Sequence, residues 1–120
     1  MYGEDYGTPD GTCVRDYIHV FDLCSAHDLA IDWLIRRNDS EDFNLGNGSG
    51  FSVRKVIEVA KEITGINFRV EQAEKRSGDP AVLVADSARA RDVLGWIPKY
   101  PQLSEIMKHA WGLKQKVISR

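Results

Sequence analysis

The sequence predicts an α/β fold in which four helices are interleaved with three or four short strands. Three observations point there. Four segments repeat apolar residues at helical spacing, three or four shorter ones alternate apolar with polar residues, and glycine or proline punctuates the boundaries between them. Neither an internal repeat nor a low-complexity stretch interrupts that order.

Residues 1–13 hold three glycines and Pro9, with Pro9-Asp10-Gly11 a turn signature in which proline presets φ and glycine accepts a positive one. Val14 to Val20 then alternates as a half-buried strand does. Val14, Asp16, Ile18 and Val20 share one face, and Arg15, Tyr17 and His19 the other. From Asp22 to Arg37 the period becomes helical, with Leu23, Ala26, Ala30, Ile31, Leu34 and Ile35 on the expected core side. Asp22 in its first turn and Arg36-Arg37 in its last both suit the helix dipole.

Residues 38–41 connect to a short expected strand, Asp42-Phe43-Asn44-Leu45, and a glycine-rich turn, 46–50. The next helix is the best marked. Ser52 caps it, Phe51 and Val56 form a hydrophobic staple, Val53, Val56, Ile57, Ala60 and Ile63 make its stripe, and Gly65 stops it. Asn67 to Ala73 reads as a strand, 74–80 as a charged loop, and Ala81 to Ala85 as strand or extended chain. Asp86 is the expected cap of a short helix ending at Gly95, with Pro98 beyond it. The last helix, Leu103 to Lys116, presents Leu103, Ile106, Met107, Ala110 and Trp111.

The 120 residues amount to one domain or a piece of one; 42% are apolar and 28% charged, which excludes disorder. A chain of this size is expected to remove roughly 65% of its unfolded surface from water and to need no staples. A net charge of −2 lacks the basic footprint that nucleic-acid binding needs. No apolar run reaches membrane-spanning length, and the first residues carry no leader pattern. Cys13 and Cys24 have no metal-type spacing and read as reduced, buried thiols of a cytoplasmic protein.

Signals for chemistry are sparse. Gly46-x-Gly48-x-Gly50 lies between strand and capped helix like a dinucleotide fingerprint, with Glu71 about twenty residues on, where the ribose acid belongs. The third glycine falls one position early, however, and Phe51 holds its place, so a tight strand-to-helix turn is the favoured reading. His19, His27 and His109 are scattered, and Asp39, Glu41 and Asp42 crowd a solvated connector. Asp10 and Asp16 read as turn and backbone partners. What remains is basic: Arg15, and Lys75-Arg76 beside Gly78-Asp79. The planar fork of arginine suits bidentate binding of phosphate, so these groups form a candidate anion site, set against the plainer reading of a solvated charged loop.

The stretch from Asp10 to Val20, then Asp22-Leu23 and Ala26-His27, resembles the opening of the C-terminal region of the UDP-glucose 4-epimerases. Asn44-Leu45-Gly46-Asn47-Gly48, Phe51-Ser52-Val53, Arg76-x-Gly78-Asp79-Pro80, Ala85-Asp86-Ser87 and Leu94-Gly95-Trp96 continue the resemblance in the same order, over nearly the whole chain. It implies an NAD-dependent isomerase of the extended short-chain dehydrogenase/reductase type, in which an N-terminal Rossmann domain holds NAD and a smaller C-terminal region clasps the UDP-sugar. NAD takes hydride from C4 of the sugar and returns it to the other face, interconverting UDP-glucose and UDP-galactose in galactose metabolism.

By position, the resemblance assigns Arg15 and Arg76 to the UDP phosphates, Tyr17 to the uridine pocket and Asp79 to a ribose hydroxyl. At Leu83, family members that handle plain hexoses can carry tyrosine; a smaller residue admits an N-acetyl group, which leaves both sugar classes open. The family's Gly-x-x-Gly-x-x-Gly loop, catalytic serine or threonine and Tyr-x-x-x-Lys pair have no counterpart here; four positions beyond Tyr100 stands Ser104. Residues 1–120 are therefore expected to be a substrate-binding portion that lacks the Rossmann domain, does not turn over alone, binds UDP-sugar weakly, and self-associates through uncovered apolar surface. Two alternatives stay open: a stand-alone nucleotide-phosphate-binding or interaction module, and a piece of another nucleotide-sugar epimerase or dehydratase.

Overall fold

The computed structural model describes residues 1–118, which form β1 (Val14–Arg15), α1 (Val20–Arg37), β2 (Phe51–Ser52), α2 (Val53–Thr64), β3 (Val82–Leu83), α3 (Ala88–Leu94) and α4 (Leu103–Ile118). Among the described residues this gives four helices and a mixed three-stranded sheet of order β2-β1-β3, within the fold class expected. β1 is central, antiparallel to β2 with Val14 opposite Ser52, and parallel to β3 with Arg15 opposite Leu83.

The strands are shorter than alternation predicts. The ladder stops after Arg15 because its neighbours each offer two residues, and Val20 already belongs to α1. His19 turns the chain into that helix, its Nδ1 accepting from the Phe21 N–H at 3.0 Å. Asp42–Leu45 is not a strand: Phe43 and Leu45 pack on the core instead of joining a ladder. Asn67–Ala73 is extended chain that meets Tyr2 through one isolated bridge at Ala73. Alternation reports which side chains seek cover, whereas a strand also needs a partner backbone, which Asn67–Ala73 finds only at its end, in residues 1–3.

Helix ends follow the local chemistry more closely. Ser52 caps α2, its side chain accepting from the Lys55 N–H, and Gly65 and Gly95 close α2 and α3 in left-handed conformations. Ser87, rather than Asp86, occupies the cap position of α3, while Asp86 accepts from the Ala88 N–H at 2.9 Å. Ser87 Oγ instead donates to the Gly46 carbonyl at 2.9 Å.

The core is small. Ala26, Ala90 and Trp96 are fully enclosed, with Ile18, Leu29, Phe43, Leu45 and Leu94 against them. A second contact joins α2 to α4, where Val59 and Leu103 are the buried apolar residues. Several residues expected inside lie outside: Ile31 is 55% and Ile35 74% exposed, Leu34 and Ala110 are also exposed, and so is Cys24, whereas Cys13 is buried. Both cysteines are free thiols. The chain exposes 8455 Å², against about 6,500 Å² for a folded monomer of its mass. Its radius of gyration is 17.1 Å, where about 14 Å is usual for the length. The chain thus buries about 57% of its unfolded surface, less than the roughly 65% expected. No helix among the described residues is long and apolar enough to cross a membrane.

Aspartates do much of the joining. Asp22, read from the sequence as a dipole partner, is completely buried. Its carboxylate accepts from the Lys99 and Tyr100 N–H groups at 2.8 and 2.9 Å, and its carbonyl from Trp96 Nε1 at 2.9 Å, bolting α1 to the connection between α3 and α4. Asp10 accepts from Ser52 Oγ at 2.5 Å and from the N–H and hydroxyl of Thr12 at 2.9 and 2.7 Å, tying the first loop to the start of α2.

Asp22→Ala removes a completely buried carboxylate and leaves the part-buried Lys99 and Tyr100 N–H groups without their acceptor, and each such loss costs about 1–3 kcal/mol. We expect urea denaturation to show at least about 2 kcal/mol less stability; a change below about 0.5 kcal/mol would refute the bolt. The Ser52 hydroxyl, ahead of the Thr12 donors and the Arg54 charge and despite partial burial, holds the Asp10 carboxyl below its ordinary 3.8. A depressed folded value means that its stabilisation is present above 3.8 and lost as pH falls through the lower folded value. Acid titration of Asp10→Asn should therefore show a shallower loss of stability below about pH 4 than the unaltered chain.

Candidate functional site

The site grows from the end of β1. Arg15 leaves the strand opposite Leu83, and its Nη1 donates to the carbonyls of Val14 and Pro80 at 2.8 and 2.9 Å, which fixes the guanidinium over the β3 end of the charged loop. Its Nη2 is buried without a hydrogen-bond partner and faces Asp79 Oδ1 across 3.4 Å. Arg76 reaches the same carboxylate from the other side, with Nε and Nη2 at 2.9 and 2.8 Å from Asp79 Oδ2. The two arginines, far apart in sequence, thus share one aspartate.

Their settings differ in a useful way. The Arg76 side chain is 61% exposed and that of Arg15 only 20%, so one arginine is anchored and the other stands at the rim. The hydrogen bond and then the charge of Asp79 hold Arg76 still more firmly protonated than usual. Two guanidinium groups against one carboxylate leave a surplus positive charge, as an anion site requires. Arg76 also stacks over the Tyr2 ring, 4.9 Å from its centroid. Tyr2 was not anticipated; a lone aromatic before Gly3 in a glycine-rich loop gives no periodic signal.

Tyr17 lies two residues beyond Arg15 and is half-buried. Burial chiefly pushes its phenol above the ordinary value, Cys13 acts in the same direction, and the Arg15 charge opposes them. Leu83 is 60% exposed and lines a cleft of about 390 Å³ with Arg15, Asp16, Asn44, Val84, Ala85 and Asp86. A larger groove of about 670 Å³ runs between Gly3–Asp5 and Gln72–Lys75 but contains neither arginine. The structure therefore brings Arg15, Arg76 and Asp79 into contact, sets Leu83 beside Arg15, and keeps Tyr17 on the same segment.

The glycine-rich turn has another task. The N–H groups of Asn47 and Gly48, where a dinucleotide phosphate would sit in a true fingerprint, donate to the Asp16 carboxylate at 3.0 and 3.4 Å. A Cβ at Gly46 would collide with Asp16 Oδ2 and stand 2.8 Å from the Ala85 methyl. The turn is a socket for an anion of its own chain. That agrees with the tight-turn reading, and with reading Asp16 as a backbone partner. Glu71, the would-be ribose acid, is exposed beside Arg69. No group of three potential metal ligands occurs among the described residues.

Residues 2–109 match the family described as GDP-mannose 4,6 dehydratase. The chain belongs to that family. A UDP-glucose 4-epimerase of Halalkalibacterium halodurans is 54% identical over 111 residues, 92% of this chain and 33% of the relative. The crystal structure of a UDP-glucose 4-epimerase superposes with a TM-score of 0.91 at 49% identity, covering 97% of this chain and 35% of the other. Another, from Stenotrophomonas maltophila with bound NAD and formylated UDP-arabinopyranose, gives 0.91 at 38% identity, covering 98% and 35%. The resemblance to UDP-glucose 4-epimerases carried by the motifs is borne out, and the chain spans about a third of the length of the relatives it matches.

Proposed function

We propose that residues 1–120 are one substrate-binding unit, the C-terminal portion of an enzyme that interconverts UDP-glucose and UDP-galactose, and that the Arg15–Asp79–Arg76 cluster receives the UDP diphosphate. The observation that carries this reading is the shared aspartate. Asp79 occupies, with a carboxylate, the place between two guanidinium groups that suits a phosphate. A diphosphate entering from the rim displaces Asp79, engaging Arg15 Nη2, which has no hydrogen-bond partner, and the exposed fork of Arg76. Asp79 is then released to accept from a ribose hydroxyl. Tyr17 borders the uridine, and Leu83, across the strand pair from Arg15, borders the hexose.

NAD does not fit the residues described here. The one turn that resembles a dinucleotide loop spends its N–H groups on Asp16, and no step of a hydride transfer is assigned to this chain. The unit supplies grip and orientation for the nucleotide-sugar; the redox chemistry belongs to a separate NAD-holding part of such an enzyme. Two free thiols fit a cytoplasmic setting. The apolar residues left open on α1 and α4, Ile31, Ile35, Leu113 and Val117 among them, fit a surface meant to be covered, and in isolation they drive self-association.

Titration with UDP, followed by amide NMR shifts, should move Arg15, Tyr17, Arg76 and Asp79. In Arg76→Ala the affinity should fall by about tenfold, the loss of one charge-assisted contact. A silent titration would count against binding, and conversion of UDP-galactose to UDP-glucose by the purified chain with NAD would overturn the assignment of catalysis elsewhere. Sedimentation equilibrium should give a mass above that of the monomer at high concentration; a clean monomer would refute self-association.

A further inference from the structure

Asp16 carries more than a turn. Its carboxylate accepts three backbone N–H groups from two segments distant in sequence: Asn47 at 3.0 Å, Gly48 at 3.4 Å and Ala85 at 3.2 Å. Its own N–H donates to the Leu83 carbonyl at 3.2 Å. The residue stands where the sheet runs out, since the named register ends at Arg15 and Leu83. Past that point a side chain does what ladder bonds do elsewhere. Asn47 completes the joint by donating from its side-chain amide to the Tyr17 carbonyl.

The joined segments flank or form the cleft of Arg15, Asn44 and Leu83 to Asp86. We infer that Asp16 is a positioning residue for nucleotide-sugar binding: by clamping Ala85 and the Asn47–Gly48 turn to the end of β1, it sets the spacing between Arg15 and the Leu83 wall. This rests on the reading that the cleft receives a UDP-sugar. It also makes a prediction of opposite sign to simple electrostatics. Removing a negative charge next to Arg15 should, by Coulomb's law alone, strengthen binding of a phosphate. Loss of the clamp weakens it, because the arginine and the hexose wall no longer hold one geometry.

The test compares the unaltered chain with Asp16→Asn and Gly46→Ala. The first removes the charge; the second keeps it but puts a methyl group where the Asp16 oxygen lies. UDP-glucose affinity, measured by calorimetry, should fall about tenfold in both, although they differ in charge. Affinity equal to or tighter than that of the unaltered chain in Asp16→Asn would overturn the inference. Amide exchange supplies a readout that needs neither ligand nor a stable variant. In the unaltered chain the Asn47, Gly48 and Ala85 amides should exchange at least about tenfold more slowly than those of residues 39–42, whose connector is exposed. Exchange as fast as in that connector would overturn the clamp. A chain silent to UDP-glucose would instead sink the binding reading, and amide exchange would still decide whether the clamp exists.

Discussion

Backbone N–H groups outside regular structure must find acceptors or water, and in this chain aspartate carboxylates meet that demand at the joints. The strands are two residues long, so the sheet satisfies few of them. Asp22 takes two N–H groups ahead of α4, Asp16 takes three from the turn before β2 and the segment after β3, and Asp10 ties the first loop to α2. A carboxylate has capacity for several donors and is short enough on aspartate to be held rigidly. The fold is thus a set of helices joined by charged staples as much as by a core.

The same constraint explains the cluster at the end of β1. Arg15 is anchored by the Val14 and Pro80 carbonyls, and this anchoring sets its remaining edge against Asp79. Arg76, on a loop with no regular structure, meets that same carboxylate through Nε and Nη2. An internal carboxylate holds the two arginines together and screens their charges; on the proposed reading this keeps the site assembled without ligand. Exchange of that carboxylate for a phosphate then requires little rearrangement of Arg15 and more of Arg76, the exposed member.

Local signals were legible in the sequence wherever one residue decides the outcome. Ser52 and Gly65 mark the ends of α2 because capping is chemistry within a few positions, and Arg15 and Arg76, with Asp79 beside the latter, stood out because few other basic groups lay off the helix faces. Alternation at Asn67–Ala73 and Asp42–Leu45 gave no strand, since pairing depends on a partner that alternation does not encode. The burial of Asp22 was equally invisible: its acceptors' donors, Lys99 and Tyr100, lie more than seventy residues away. Tyr2 escaped for the same reason, its meaning arising from Arg76, more than seventy residues further on.

The misjudged apolar stripe of α1 is informative in another way. Ile31, Leu34 and Ile35 have helical spacing for burial, yet they are exposed, while Ala26 on the neighbouring turn is enclosed by Ala90 and Trp96. An amphipathic period states that a face is suited to cover; it does not state which chain supplies the cover. Together with about 2,000 Å² more surface than a monomer of this mass usually shows, the exposed stripe is what the proposed reading expects of a unit whose apolar face is covered by other chain. On that argument the small core is not a defect of the sequence. It is what remains enclosed when a face built for a larger assembly is open, and the carboxylate joints are what allow the remainder to keep its geometry.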